Sequence, residues 1–495
     1  MLTILTTTNH KNQILGSISS VERLDELVHV VEYTDKPKSS SKILIIQDNY
    51  IKLPLDWYDT LPPYIIPPVS FTNNNLLALI FFKIGNHQKA FEYLSGQEEL
   101  YQHLHIIIAL KFGYDITKEM IAFVSLKSWH NTAIVSHYGY LDNSLGYTEV
   151  KKRYQDALTY AENDELKLFT AKHYLNLLLD VSEYKETEKM ARSFKEMAMS
   201  EEAQNAMNVQ LASALMAQFK VPHNQKLLDE VQALYQKSID FYKSKNEKVQ
   251  AGLLAINASE VANFKKDFLT SKEHINKAIL YFREEEIPEF LAEATLKKAI
   301  LLYTWSKNGN PQYYKPAINA FQDALKVFKR SIYPEKFAEI HHNLALIYSE
   351  ILVSEEEKPI WNAFCASSFK EALAFYSKEQ YPYEYATVSH NYATALLNFP
   401  PAKLNNNLLK ASELFEEALQ IRTANTYPFE RTLTLLNQLE LYWRIPNKND
   451  NEEQKRHQEM FSKALEIKKL VSDKNLLKQA DNHLKKLDEL RTIIN

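Results

Sequence analysis

One pattern recurs in YPEKFAEIHHNLALIY (333–348), YPYEYATVSHNYATAL (381–396) and YPFERTLTLLNQLELY (427–442). Each segment opens with Tyr-Pro and carries an asparagine ten residues after the tyrosine, at Asn343, Asn391 and Asn437. These asparagines are 48 and then 46 residues apart. Proline is favoured at the start of a helix, where its missing N–H is not needed, so each Tyr-Pro pair predicts a helix start. The sequence therefore predicts a helical unit that repeats along the chain.

The same pattern extends towards the N-terminus. A residue of modest size stands five positions before each asparagine, as Ala338 does before Asn343. Three further copies contain Ala171 with Asn176, Ala203 with Asn208, and Gly252 with Asn257. In the copy that begins at Ile287-Pro288, Lys297 replaces the asparagine.

A second helix is predicted upstream of these starts. Small and large residues recur there at spacings of four and three, in the sets Ala317, Phe321, Ala324; Cys365, Phe369, Ala372; and Ala411, Phe415, Ala418. Residues at these spacings share one helix face, and small residues on that face let a neighbouring helix approach closely. The repeat is therefore predicted to be a pair of helices, with Cys365 as a packing residue.

The two helices together resemble the tetratricopeptide repeat (TPR) family. The resemblance is carried by Asn343, Leu344, Ala345 and Tyr348 in the first helix, by Ala317, Phe321 and Ala324 in the second, and by an early copy in Leu77, Ala78, Phe81, Gly85, Ala90 and Leu94. It covers most of residues 72–470, with a period longer than the family's usual ~34 residues. The resemblance implies an all-α, right-handed superhelical solenoid of antiparallel helix pairs whose first helices line a concave groove.

The first 71 residues differ from the rest. Leu2 to Thr7 and Lys42 to Gln47 are strand-prone, Val21 to Val31 favours a helix, and five prolines between Pro54 and Pro68 favour a turn. We therefore predict a small mixed N-terminal cap over residues 1–71, a helical-repeat solenoid over 72–470 and a C-terminal capping helix over 471–495.

Composition excludes several classes of function. The net charge is −4, so the chain has no positive surplus for a nucleic-acid partner. Its longest apolar run, Leu76 to Phe82, is too short to span a membrane. The single cysteine allows no intrachain disulfide and suits a reducing compartment, and Met1 to Gln13 does not resemble a secretory signal. We predict a cytoplasmic protein.

Catalytic, cofactor and metal sites are not expected. The eight glycines are scattered, so no phosphate-binding loop is present, and no nucleophile or carboxylate pair stands out. The pairs His341-His342 and His103-x-His105 lack the further ligands of a known metal motif. An enzyme with a site assembled from distant residues is a remote alternative.

The repeated asparagines are the candidate binding residues. Asparagine both donates and accepts hydrogen bonds, so a ladder of asparagines in one groove can hold an extended peptide. The predicted groove contains Asn176, Asn208, Asn257, Lys297, His342, Asn343, His390, Asn391 and Asn437. The histidines precede two of the asparagines and, with Lys297, can favour an acidic group. The alternative is that these asparagines and histidines only fix repeat geometry or pack between helices.

Two hypotheses for function follow. The first is a non-catalytic scaffold that binds a protein or extended peptide in the groove. The second is a peptide-sensing regulatory protein that resembles the bacterial TPR regulators, although the first 70 residues do not resemble a DNA-binding unit.

Overall fold

The computed structural model describes residues 1–32, 42–96, 98–141, 145–219, 223–400, 406–446 and 450–494. Helices make up 71% of it, and the 22 α-helices of these described residues pack mainly against their neighbours in sequence. A small mixed sheet lies at the N-terminus. The predicted class, an all-α helical repeat with a small mixed cap, is confirmed. The chain forms two compact units, Met1–His274 and Ile275–Asn495.

The N-terminal sheet has the strand order β2-β1-β3-β4-β5. Its elements are β1 (Leu2–Thr6), α1 (Thr8–Ser19), β2 (Val28–Glu32), β3 (Ile43–Gln47), β4 (Tyr50–Lys52) and β5 (Val69–Ser70). Strand β1 is parallel to β2 and β3, and β4 is antiparallel to β3 and β5. Leu2, Ile4 and Thr6 alternate with more exposed residues and point into the core. The strand predictions for β1 and β3 are thus confirmed.

The helix predicted over Val21 to Val31 is wrong. A short 3₁₀ turn at Leu24–Glu26 leads into β2 there, and Val28 lies opposite Leu2 of β1. The helix of this region is α1, earlier in the chain. Pairing with β1 decides the conformation, because a strand is stabilised by contacts with its neighbour rather than by its own propensity.

Helices follow one another through the rest of unit 1. They are α2 (Asn73–Lys83), α3 (His87–Glu92), α4 (Glu99–Phe112), α5 (Lys118–Ser125), α6 (Trp129–Tyr138), α7 (Tyr147–Thr159), α8 (Asp164–Asp180), α9 (Tyr184–Met197), α10 (Glu201–Met216), α11 (Gln225–Ser244) and α12 (Lys248–Phe264), with α13 (Phe268–Glu284) crossing the unit boundary. Two short strands, β6 (Asp115–Ile116) and β7 (Tyr140–Leu141), pair in parallel. Side chains such as Thr72, Ser128 and Asn163 cap helix N-termini by accepting a backbone N–H bond.

Unit 2 contains the repeats with Pro at the helix start. Its helices are α14 (Pro288–Lys307), α15 (Tyr314–Leu325), α16 (Pro334–Glu350), α17 (Lys358–Leu373), α18 (Pro382–Leu396), α19 (Asn407–Ile421), α20 (Pro428–Arg444), α21 (Asp450–Leu470) and α22 (Lys474–Ile494). Four of them begin at the prolines that predicted a helix start. Among the described helices of the chain, none is both long and apolar enough to cross a membrane.

The predicted packing residues form the interior of the helix pairs. Phe321, Phe369 and Phe415 of the second helices are fully buried, as are the small residues that flank them in each set. Ala338 and Ala386, five positions before asparagines of the first helices, are also fully buried. The small side chains therefore mark close helix contacts, as the spacing predicted.

Cys365 lies in this interior, so the reactivity of its thiol tests whether the interior is closely packed. The thiol is fully buried, and burial raises its pKa to about 12. Because only the thiolate reacts readily, we expect Cys365 to resist a chromogenic thiol reagent in the native protein and to react once urea unfolds unit 2. Reaction of the native protein as fast as that of a free small-molecule thiol would contradict this packing.

Candidate functional site

The segment between β4 and β5, residues 53–68, is called the arm here. Its ends meet because Ile51 pairs with Val69 and Tyr50 pairs with Ser70. Five prolines restrict its backbone, and it contains no α-helix or β-strand. Loops of more than about 12–15 residues without secondary structure are uncommon and often functional. The predicted proline-rich turn is thus part of a longer segment that reaches well beyond the sheet.

The base of the arm, residues 62–68, is held by α4 and α6. Asn131 of α6 pairs with the Ile65 backbone twice, accepting its N–H at 2.8 Å and donating to its C=O at 2.7 Å. His130, also on α6, donates from Nε2 to the carbonyl of Pro63 at 2.8 Å. The Tyr64 hydroxyl lies 2.8 Å from Nδ1 of His103 on α4. Backbone and side-chain groups of the base are thus paired with buried polar groups.

The tip of the arm, residues 56–61, is a turn organised by Asp56. One Asp56 carboxylate oxygen accepts the N–H of Tyr58, and the other accepts the Thr60 hydroxyl and the N–H of Leu61. Asp59 has a φ of 56°, a left-handed conformation that Asp and Asn tolerate better than most residues. The side-chain bonds of Asp56 make the tip a unit with its own internal structure.

Two aromatic residues attach the tip to the helices. Trp57 is 4% exposed and lies edge-on to Phe169 of α8, with ring centroids 5.1 Å apart. Tyr58 is 3% exposed and donates to the Glu202 carboxylate of α10 at 3.2 Å. Burial of two aromatic rings contributes much of the attachment.

Polar side chains of α8 and α12 bind the backbone of the tip. Lys172 Nζ of α8 donates to the Trp57 carbonyl at 3.1 Å and to both carboxylate oxygens of Asp59, at 2.8 and 2.7 Å. Gln250 Nε2 of α12 donates to the Tyr58 carbonyl at 2.9 Å. The Lys172 side chain is 7% exposed whereas that of Asp59 is 55% exposed, so the buried partner of this ion pair is the lysine.

The arm thus contacts one set of helices. The even-numbered helices α6 to α20, called the first helices here, include every helix with a predicted asparagine position. The side of α6, α8, α10 and α12 that contacts the arm is called the arm face and is defined by Asn131, Lys172, Glu202 and Gln250. It binds an extended segment largely through backbone atoms, which every peptide possesses.

The pair of hydrogen bonds between Asn131 and the Ile65 backbone can be tested by mutation. We expect Asn131→Ala to lower the free energy of unfolding by about 2 kcal/mol, because the N–H and C=O of Ile65 then lose their partners in a largely buried site. Asn131→Asp keeps the acceptor and should lose the bond to the C=O. Urea unfolding followed by tryptophan fluorescence measures both variants. An unchanged urea midpoint for Asn131→Ala would show that the amide does not hold the arm.

The predicted asparagines of unit 1 bond mainly to neighbouring helices. Asn176 accepts a 2.7 Å bond from Gln210 of α10. Burial raises the pKa of Tyr235 of α11 to about 12, and hydrogen bonds of its hydroxyl with Ser213 and with Asn257 of α12 offset part of that rise. The Oδ1 atom of Asn208 is buried and has no hydrogen-bond partner in the described part of the chain.

In unit 2, the asparagines and histidines form bonds between successive first helices. Asn391 of α18 lies 2.9 Å from Nε2 of His342 on α16. Asn437 of α20 donates to Thr394 of α18 at 2.9 Å and lies 3.4 Å from Nε2 of His390. Asn343 donates to the Glu339 carbonyl of its own helix. These bonds fix the register between neighbouring first helices.

The histidines in these bonds carry no charge at neutral pH. Burial lowers the pKa of His342 to about 4, and burial together with the nearby Arg422 lowers that of His390 to about 3. The positive charge expected of this stretch therefore lies on Lys297 of α14. Lys297 is half-buried and has no hydrogen bond or ion pair within the described ranges.

The chain is weakly similar to solved structures. No protein-family model and no curated protein matches the chain. Among solved structures, the chain is similar to one of Naa15/Naa10 bound to HypK-THB, with a TM-score of 0.35 and 13% identity over 85% of this chain and 78% of that chain. It is also similar to a circular tandem repeat protein with novel repeat topology and enhanced subunit contact surfaces, with a TM-score of 0.17 and 12% identity over 85% and 89% of the two chains. Scores this low support no inference about function.

The residues that hold the arm were not predicted from the sequence. Lys172 stands four residues before Asn176, and Gln250 stands seven before Asn257, so both share a helix face with an asparagine position. Inspection of the positions four and seven residues before each asparagine would have found them. Asn131 and His130 lie in a segment that fitted the repeat pattern poorly, so no comparable signal existed.

Proposed function

We propose that this chain is a non-catalytic scaffold that binds a protein or extended peptide through the first helices of TPR-like repeats. The observation that carries the proposal is the arm, whose backbone is bound by Asn131 at its extended base and by Lys172 and Gln250 at the turn of its tip. Extended peptides are commonly recognised in this way, with backbone bonds for affinity and side-chain pockets for specificity. A reducing cytoplasm suits a scaffold with one buried cysteine.

Unit 2 supplies a first-helix surface of the same type. Lys336 of α16 pairs with Glu293 of α14 at 3.3 Å, and Lys307 of α14 pairs with Glu350 of α16 at 3.2 Å. These two ion pairs join α14 and α16 on either side of Lys297. A rigid surface with an available ammonium group suits a partner segment that carries a carboxylate.

The proposed binding residues remain those of the asparagine ladder. They are Asn176, Asn208, Asn257, Lys297, His342, Asn343, His390, Asn391 and Asn437. The asparagines and histidines that form hydrogen bonds between helices would bind a ligand through their remaining donor or acceptor groups. Lys297 is the residue of this set best placed to bind a ligand directly.

Site-specific photocrosslinking tests the scaffold function. A benzophenone amino acid replaces Ile300, which lies one turn after Lys297 on α14, and in a matched control it replaces the exposed Ser367 of α17. We expect cellular proteins to crosslink at position 300 but not at position 367, and Lys297→Glu to remove most of that product. Equal crosslinking at both positions, or none at position 300, would contradict the proposal.

A peptide-sensing regulatory protein is the second candidate. One observation favours it, namely that the arm occupies the arm face in unit 1, so that a peptide bound there must change the position of the arm. Binding and a conformational response would then be coupled, which is the property that a sensor requires.

A further inference from the structure

The tip of the arm differs from its base in how it is held. Tyr64 and Ile66 of the base belong to the hydrophobic core that the sheet shares with α2 and α4. The tip instead touches α8, α10 and α12 through Trp57, Tyr58 and Asp59, and its turn is closed by its own Asp56. Leu61, at the end of the tip, packs against the same core as the base, so residues 56–60 can leave the arm face while Leu61 and the base stay in place.

Two buried polar atoms lie on residues that contact the aromatic rings holding the tip. Asn205 of α10 bonds to the hydroxyl of Tyr242, the ring beside which Tyr58 lies, and its Oδ1 is buried without a partner. His173 of α8 contacts Phe169, the ring under Trp57, and its Nε2 is likewise buried without a partner in the described residues. Buried polar groups are normally paired, so these two atoms are available to a hydrogen bond that the described residues do not supply.

The arm face specifies the chemistry of what it binds. Lys172 is buried and needs an anionic partner when the tip is absent. Phe169 of the arm face and Tyr242 of the adjacent helix α11 form two aromatic contact sites, and Gln250 donates to a backbone carbonyl. The complementary ligand is a segment in a turn with two adjacent aromatic residues followed by an acidic residue, as in Trp57-Tyr58-Asp59.

We infer that the arm face is a binding surface for such an aromatic-aromatic-acidic segment of another protein, and that the tip is its intramolecular competitor. This inference rests on the proposed function, since it uses the same kind of first-helix surface. A tethered competitor has an effective concentration on the order of millimolar, so an external segment binds weakly until the tip is released. The tip thereby sets the threshold for binding.

A fluorescent peptide with the sequence of residues 53–61 tests this inference by anisotropy against the full chain. The tip-released variant carries Trp57→Ser and Tyr58→Ser, and circular dichroism checks its helix content. We expect it to bind the peptide at least about tenfold more tightly than the wild type, because the competitor is removed. Addition of Lys172→Met should reverse the gain, and a peptide in which Asn replaces the aspartate that corresponds to Asp59 should bind weakly.

The inference is overturned if the folded tip-released variant binds the peptide no better than the wild type. If that variant does not fold, hydroxyl-radical labelling of the wild-type protein, read by mass spectrometry, decides the question. Excess peptide should then increase labelling of the Trp57 and Tyr58 rings of the chain, which are buried while the tip is bound, and unchanged labelling overturns the inference. Failure of either experiment while crosslinking at Ile300 persists would leave the scaffold function intact.

Discussion

Acidification from about pH 6.5 to about pH 4 is expected to lower the free energy of unfolding by about 3 kcal/mol for each histidine whose pKa burial lowers to about 4 or below. Burial lowers the pKa of His103, His130 and His342 to about 4 and that of His390 to about 3, whereas an unfolded histidine titrates near 6.5. In this window the unfolded chain binds protons that the folded chain excludes. Stability is therefore complete above about pH 6.5 and falls as the pH approaches the folded values.

Urea unfolding by tryptophan fluorescence across this pH range measures the effect. Carboxylates titrate in the unfolded chain mainly below about pH 5, so the upper part of the window isolates the histidines. The variant His342→Gln keeps an acceptor for Asn391 and removes one titrating ring. Its pH dependence should be smaller than that of the wild type by about 3 kcal/mol, whereas His29→Gln on the exposed face of β2 should change nothing. Equal pH dependence of His342→Gln and the wild type would show that His342 is protonated in the folded state.

The helix starts and the buried faces of the helix pairs were predicted correctly, because both are determined by residues close together in the sequence. Each Tyr-Pro pair fixes a helix start because the proline ring presets the backbone angle of the first turn. The set Ala317, Phe321 and Ala324 predicts a buried face because helical periodicity places the three side chains together. Such signals repeat in every copy, so the helix pairs could be predicted from one sequence.

The arm and β2 depend on contacts between distant residues. Asn131 is 66 residues from Ile65, and Gln250 is 192 residues from Tyr58. The local sequence predicts a turn from its prolines and turn residues, but it does not predict which helix face that turn contacts. The helix over Val21 to Val31 was wrong for this reason, and the contacts of the proline-rich segment with α6, α8, α10 and α12 were not predicted.

The position of the asparagine ladder could be predicted from the sequence, but its hydrogen-bond partners could not. The spacing placed Asn391 and Asn437 on the same side of successive first helices, and the hydrogen bonds between those helices agree with this placement. The identity of each partner depends on small shifts between helices, which the period does not encode. Ligand binding by the ladder therefore remains a prediction.

Asp59→Asn is expected to destabilise unit 1 by about 3 kcal/mol, more than Lys172→Met does. The reason is the unequal burial of the pair, since the side chain of Lys172 is 7% exposed and that of Asp59 is 55% exposed. Loss of the carboxylate leaves a buried ammonium with neutral acceptors, namely the Trp57 carbonyl and one amide oxygen of the new asparagine, and no counter-charge. Asparagine keeps the size of the side chain and tolerates the left-handed backbone of this position. Backbone strain therefore does not contribute to the expected loss of stability in Asp59→Asn.

Lys172→Met removes the buried charge together with its need for a partner, and Asp59 can then be hydrated. We expect this variant to lie within about 1 kcal/mol of the wild type, because an apolar replacement of a buried ion is often neutral. The double variant should resemble Lys172→Met alone, since the cost of Asp59→Asn exists only while the lysine is present. Urea unfolding of the four proteins completes the cycle. A larger loss for Lys172→Met than for Asp59→Asn would mean that the lysine stabilises the arm mainly through packing of its aliphatic chain and its bond to the Trp57 carbonyl.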